Sequence, residues 1–362
     1  MKRVAVHGSY FGYNFGDTLL CALFCNWVRQ SLGDVHVVLP LASRRNRALI
    51  GADSRGILAF LLSSELVLCG GGYFGDSGSP SLKWSVRNYF RHFLIAELAI
   101  LLNKKVYILG TGVGPISSPF LRKRLRRIAD AAQCIVVRDQ ESSRFLKEIG
   151  VSIEPIVDMD AALYLTTEFF EETAPATVSD DSANVRSSPL GATKLAIHLS
   201  DYGAEDWSAM ADVIVRFCAT HKDVRPVLIT DSKTRTGKAA AQDKASRRLE
   251  QLLPAPACFY YGGDPRELCR LLDEVDLIVT NKLHVGIVST VLGKDVISLP
   301  QHVKTPRFYR QIGMSEVCVT QDRPKGLDDL LRIWAGGNFP RFETSSRPNI
   351  YLDVLHREMG SG

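Results

Sequence analysis

Short apolar runs recur along the chain, each closed by glycine or a small polar residue and followed by a stretch whose apolar positions keep helical spacing. Residues 3–7 form the first run. It passes into the loop GSYFGYNFGD from Gly8 to Asp17, after which residues 18–32 repeat apolar positions at the period of a helix. Further strands are expected at 35–39, 66–69, 106–109, 134–137 and 153–157, with helices over 83–103, 121–132 and from Asp139 to Ile149. Runs of Val, Ile and Leu without alternation suit strands covered on both faces. Strands that alternate with helices build parallel sheets.

The alternation stops at 168–192, a segment poor in large apolar residues after Phe170 and rich in Ser, Ala, Pro and Asp, which reads as a linker. It resumes with strands at 194–199, 224–230, 258–261 and 276–280 and helices at 207–221, 239–253 and 265–272. The expected organisation is therefore an N-terminal α/β domain over 1–167, the linker, a C-terminal α/β domain over 193–340 and a helical tail over 341–362. Both domains read as doubly wound and Rossmann-like. Two such domains facing a cleft, lined by the carboxyl ends of both sheets, make that cleft the expected site.

The length of 362 residues fits this division, since one core rarely serves more than about 250–300 residues. Hydrophobic residues at 46% and charged residues at 23% describe a water-compatible chain, and no apolar run reaches the roughly 18 residues of a membrane span. The N-terminus enters a strand directly without the apolar core of a signal peptide, so the expected location is cytoplasmic. Eight scattered cysteines without a C-x-x-C pair read as buried thiols in a reducing compartment, and no metal site is expected. The net charge of +5 favours an anionic small molecule or membrane headgroups as partner. No nucleic-acid motif is present, and the arginines at 122, 124, 126 and 127 form a solvated or headgroup-facing surface.

Candidate chemistry collects where strands end. The stretch DLIVTNKLHVGIVSTVLG, Asp276 to Gly293, carries a strand into a helix at Asn281, so free N–H donors, a positive dipole end, Lys282 and His284 converge as an anion site. Asn281 as a simple cap with Lys282 in solvent is the alternative. The sequel adds Lys304, Arg307 and Arg310 after the next strand. Near the N-terminus, Tyr10, Phe11, Tyr13 and Phe15 offer flat faces for sugar rings and Asn14 and Asp17 offer hydrogen bonds, unless the rings pack the loop and Asp17 caps the helix. Glycine turns at 70–72 and 110–114 repeat this pattern. Arg138 either reaches a substrate anion or pairs with Asp139 or Glu141. Asp158 and Asp160 serve as acid, base or cation ligands, or cap a turn.

Taken in order, Gly12 through Asp17, Gly70 to Gly72, Gly110 to Pro115, Val137-Arg138-Asp139 with Ser142, Asp158 with Ala161, and Lys282-Leu283-His284 followed by Gly293 and Lys304 resemble the polysaccharide pyruvyl transferases. The likeness runs from Val4 to about Gly313. It implies a GT-B-like glycosyltransferase architecture and transfer of pyruvate from phosphoenolpyruvate onto a sugar of a cell-surface or exopolysaccharide glycan, with no cofactor. It further implies donor contacts from Lys282, His284, Lys304, Arg138 and His198, with His284 as general acid and Asp17 as base for the acceptor hydroxyl. Acceptor contacts would come from Tyr13, Asn14, Gly71, Gly72, Tyr73 and Asp76. The acceptor so implied is a glycan or a lipid-linked saccharide, with peripheral contact at the inner face of the cytoplasmic membrane as a further expectation. Two positions depart from the pattern: the family has Arg-Leu-His where this chain has Lys282-Leu283-His284, and an arginine near Ser200, where this chain reads His198-Leu199-Ser200-Asp201. Those departures keep two other readings open, a nucleotide-sugar glycosyltransferase of GT-B type and a non-catalytic glycan-binding subunit.

Overall fold

The computed structural model describes the chain except residues 12–13, 77, 79, 172–191, 201–203, 231–236, 344–346 and 361–362. It divides into two compact units, residues 1–164 with 347–362, and residues 165–346.

In the first unit β1 (Lys2–His7), α1 (Phe15–Leu32), β2 (Val35–Leu39), α2 (Arg44–Ile50), β3 (Ser54–Arg55), α3 (Ile57–Leu61) and β4 (Glu65–Cys69) lead to α4 (Leu82–Asn88). A π-helical turn, Tyr89–Phe93, joins α4 to α5 (Leu94–Leu101), and β5 (Lys105–Thr111), α6 (Pro119–Asp130), β6 (Ala132–Val137), α7 (Gln140–Glu148) and β7 (Ile156–Val157) follow. All strands are parallel in the order β3-β2-β1-β4-β5-β6-β7. The single helix expected over 83–103 is thus interrupted. A π turn adds a residue per turn and rotates the helix faces, and here it carries His92 and Phe93 into the core while Phe90 and Arg91 stay outside.

The second unit runs α8 (Glu168–Glu171), β8 (Thr193–His198), α9 (Ala204–Thr220), β9 (Val224–Thr230), α10 (Gly237–Leu252), β10 (Ala257–Tyr260), α11 (Pro265–Asp273), β11 (Leu277–Thr280), α12 (Leu283–Val291), β12 (Asp295–Ser298), α13 (Lys304–Gln311) and α14 (Arg323–Ala335). Its parallel sheet has the order β10-β9-β8-β11-β12. Most of the expected linker, 172–191, lies outside the described residues, but its first residues form α8, which buries Phe169 and Phe170 and sets Phe169 4.8 Å beneath the Arg266 guanidinium.

Each unit has its own core. In the first, Leu66, Leu68, Val106, Ile108, Ile135 and Val137 from the sheet meet Leu121, Leu125 and Ile128 from α6. In the second, Leu195, Ile197, Leu277 and Val279 meet Trp207, Met210 and Ile214 from α9. The expected C-terminal tail contains α15 (Ile350–Met359), which returns to the first unit. There Tyr351 stacks on Trp27 of α1 at 5.9 Å and donates a 2.5 Å hydrogen bond to the Met159 carbonyl. The eight cysteines are free, and all but Cys258 are buried.

Candidate functional site

In the second unit β8 pairs with β9 on one side and β11 on the other, so chain progression reverses between β8 and β11, the position where open α/β sheets place ligands. Register aligns Thr280 with His198, and both strands end together. The Asn281 amide ties the two ends: its oxygen accepts from Ser200 N–H at 2.9 Å and its nitrogen donates to the His198 carbonyl at 3.3 Å. Thr280 Oγ1 donates to the same carbonyl at 3.3 Å and accepts from Lys282 N–H at 3.0 Å. Asn281 therefore braces β8 against β11 and does not cap α12.

Lys282 is the N-cap of α12, with extended backbone at φ −100° and ψ 124°, and no side chain caps the helix. The positive end of the helix dipole and a half-buried ammonium thus share one corner. His284, the second residue of α12, is buried there, and Lys304 opens α13 beyond β12, the strand beside β11, with Arg307 and Arg310 exposed along it. Gly286 explains how closely these helices pack: a Cβ at that position would lie 2.3 Å from Tyr309 Oη of α13. His198 is fully buried at the end of β8.

The first unit repeats the topology with different side chains. Its switch lies between β1 and β4, where Gly70 (φ +34°) and Gly71 (φ +80°) turn the chain. A Cβ on Gly70 would sit 2.7 Å from Leu20 of α1, so glycine serves both the left-handed backbone and the close approach. Asn14 caps α1 by accepting from Asp17 N–H at 3.3 Å, and Asp17 Oδ1 lies 3.4 Å from where a Gly71 Cβ would be. Asp17 and Asn14 therefore stand over the glycine turn; Tyr13 lies outside the described residues.

The two glycine turns are laced together. Gly112 N–H donates to the Gly71 carbonyl at 2.8 Å and Gly114 N–H to the Phe74 carbonyl at 2.6 Å. Asp76 accepts from Gly78 N–H (2.8 Å) and from Ser117 N–H (2.6 Å) and Oγ (2.8 Å), so its carboxylate serves the turns themselves. Arg138 fills the space the glycines leave, since Cβ atoms at Gly112 and Gly72 would stand 2.5 and 3.5 Å from its guanidinium. It is nearly buried and pairs with Asp160 at 3.2 Å and Asp139 at 3.8 Å, while Glu141 pairs with Arg144 instead. Losing one partner of such a buried pair costs about 3–5 kcal/mol, which makes Arg138 a structural post of this edge. Asp158 accepts from the Tyr164 hydroxyl at 2.7 Å.

The aromatic residues mostly pack inward. Tyr10, Phe15 and Tyr73 are buried, and Tyr73 stacks on His92 at 4.4 Å. Beneath them lies a pair that the sequence did not disclose: His7 Nδ1 shares a hydrogen bond with the Tyr10 hydroxyl at 2.8 Å and its Nε2 with His92 Nδ1 at 3.1 Å. Burial pushes His7 down to about 3 and His92 well below the usual imidazole range, so both stay neutral. His7 ends the first strand, beside the glycine loop, but nothing local marks His92 as its partner 85 positions away.

The model of a family described as polysaccharide pyruvyl transferase matches residues 14–302. No curated protein matches the chain. Among solved structures, UDP-GlcNAc 2-epimerase from Neisseria meningitidis, bound to UDP-GlcNAc, is similar with a TM-score of 0.65 and 11% identity over 100% of both chains. A putative UDP-N-acetylglucosamine 2-epimerase from Listeria monocytogenes scores 0.65 at 10% identity, covering 100% of this chain and 97% of that one. UDP-GlcNAc 2-epimerase from Methanocaldococcus jannaschii, in complex with UDP-GlcNAc and UDP, scores 0.61 at 12% over 100% of both. At such identities the likeness is one of fold, two Rossmann-like α/β units of the GT-B type.

Proposed function

The chain belongs to the polysaccharide pyruvyl transferase family, and on that premise we propose that it moves pyruvate from phosphoenolpyruvate onto a sugar of a cell-surface or exopolysaccharide glycan. The observation that carries this reading is the uncapped start of α12, where Lys282 and His284 stand at a sheet's switch point. Phosphoenolpyruvate carries a phosphate and a carboxylate, and clustered cations with a helix N-terminus suit both. Lys304, exposed at the head of α13, supplies a further charge.

Ketal formation divides into two additions. A proton moves to the methylene carbon of the enol, and a sugar hydroxyl adds to the cationic carbon that results. Phosphate then leaves with the C–O bonding pair, and a second hydroxyl of the same sugar closes the ketal, releasing its proton. His284 donates the first proton, imidazole being the side chain most often used for general acid–base transfer. Asp17, over the Gly70–Gly71 turn, accepts the proton of the acceptor hydroxyl. Lysine in place of the family's arginine gives a point charge where a bidentate fork would hold two oxygens.

The test is mass analysis of the glycan made with and without the full-length protein, paired with inorganic phosphate released from phosphoenolpyruvate. A pyruvate ketal appearing together with phosphate supports the reading. A glycosyl addition from a nucleotide sugar would instead favour the second reading, for which the departure at Lys282 and the UDP-sugar ligands named for the similar structures speak. Glycan binding with neither product would mark a non-catalytic subunit.

A further inference from the structure

α4 lies on the surface of the first unit and buries none of its residues. Leu82, Val86 and Phe90 follow one another at intervals of four along α4 and into the π turn, so they share a stripe, and Lys83, Arg87 and Arg91 form a second stripe one residue on. Leu82 is 81% exposed and Phe90 58%. The apolar stripe continues onto a second helix: the Phe90 ring meets Tyr89 at 5.5 Å, and Tyr89 meets Phe120, which is half exposed at the head of α6, at 5.4 Å. Lys123 and Arg127 follow Phe120 at helical spacing and are exposed.

Residues 82–96 and 120–129 contain no Asp or Glu. The acids that end these stretches are committed elsewhere: Glu97 holds Arg124 at 3.2 Å and the Tyr89 hydroxyl at 2.7 Å, and Asp130 holds Arg126 at 3.5 Å and Ser152. An apolar ridge alone would fit another protein. A ridge flanked by cations and free of acids fits a partner that is apolar within and negatively charged at its surface. Among the described residues no helix is long and apolar enough to cross a membrane. Both helices begin just after glycine turns that follow β4 and β5, which places Leu82 and Phe120 at the same sheet edge as Gly70 and Gly71.

We propose that this face docks onto a bilayer containing anionic phospholipid, with Leu82, Val86, Phe90 and Phe120 at the headgroup–acyl boundary and Lys83, Arg87, Lys123 and Arg127 at the phosphates. This contact does not depend on the donor, so its failure and that of pyruvyl transfer are separable.

The experiment is flotation of the full-length protein with vesicles of phosphatidylcholine alone or mixed with phosphatidylglycerol, at low and high salt. The wild type is expected to float with the mixed vesicles only, and salt should weaken the association. Lys123→Glu with Arg127→Glu should lower the apparent affinity roughly tenfold or more. Leu82→Ser with Phe90→Ser should lower it several-fold with an unchanged melting temperature, since both side chains are exposed. Failure of the wild type to float at low salt overturns the proposal. So does undiminished binding of the Leu82/Phe90 variant, which would reveal charge attraction without insertion. Self-association in sedimentation without lipid, abolished by that same variant, would assign the face to a second copy of this chain.

Discussion

The two units build the same topological switch and furnish it in opposite ways. In the first, the groups behind the edge satisfy one another: Arg138 is held by Asp160 and Asp139, Asp76 by Ser117 and the turn, and His7 by Tyr10 and His92. In the second, Thr280 and Asn281 tie the strand ends, and the cations Lys282 and Lys304 stand at helix starts. A shared strand order around the switch therefore does not decide chemistry. A closed polar network gives an edge rigidity and makes it sensitive to protons; a helix N-terminus with cations beside it carries positive potential.

The largest effect expected to separate the units is that of acid. His7 is pushed down to about 3 and His92 is lowered too, so below the unfolded imidazole value of 6.5 the unfolded chain binds more protons than the fold. Their contribution is therefore complete above about pH 6.5 and lost as pH falls from there toward 3. Between pH 7 and 5 this amounts to about 2 kcal/mol for His7, and His92 acts in the same direction. Hydrogen exchange should show amides of β1 and β4 losing protection before those of β8 and β11. His92→Gln should reduce the pH dependence; equal acid loss in both units would break the comparison.

Next come the two residues to which the proposed mechanism assigns proton transfer. His284→Gln should lower turnover roughly a hundredfold or more while phosphoenolpyruvate binding persists. Asp17→Asn should lower turnover in the same direction without moving donor affinity. If titration calorimetry shows Asp17→Asn weakening the donor as much as Lys282→Ala does, the division of labour between the units is wrong.

A last contrast concerns glycines. Gly70→Ala meets a left-handed φ and Leu20 at 2.7 Å together, and should cost about 2–4 kcal/mol in urea unfolding. Gly293→Ala meets φ +71° with nothing within 4 Å and should cost about 1 kcal/mol. Similar losses at both would mean that packing at the first switch is looser than the distances indicate.

Most of the fold was legible because buried parallel strands write themselves as unbroken apolar runs: residues 35–39 and 224–230 match β2 and β9 end to end. The start of α12 was legible for the same reason, an apolar run that halts at Thr280 before helical spacing begins. What escaped depends on contacts between distant residues. The π turn at Tyr89–Phe93 exists because His92 and Phe93 reach the core, which no local spacing encodes. The aromatic loop read as a sugar platform or as packing; Tyr10 and Phe15 are buried, while Tyr13 lies outside the described residues. Likewise Arg138 read as anion binder or ion-pair partner, and only the fold brings Asp160, 22 positions away, to its guanidinium.

The central claim, that the start of α12 is the donor anion site, is tested most directly by titrating phosphoenolpyruvate into the full-length wild type and the Lys282 variants by calorimetry. The wild type should bind phosphoenolpyruvate more tightly than UDP-GlcNAc. Lys282→Ala should weaken donor binding by about 1.5–3 kcal/mol, the worth of a charged hydrogen bond. Lys282→Arg should retain or improve it, since the guanidinium offers a bidentate fork. A wild type that ignores phosphoenolpyruvate yet binds UDP-GlcNAc, or a Lys282→Ala variant with undiminished affinity for phosphoenolpyruvate, would contradict the account.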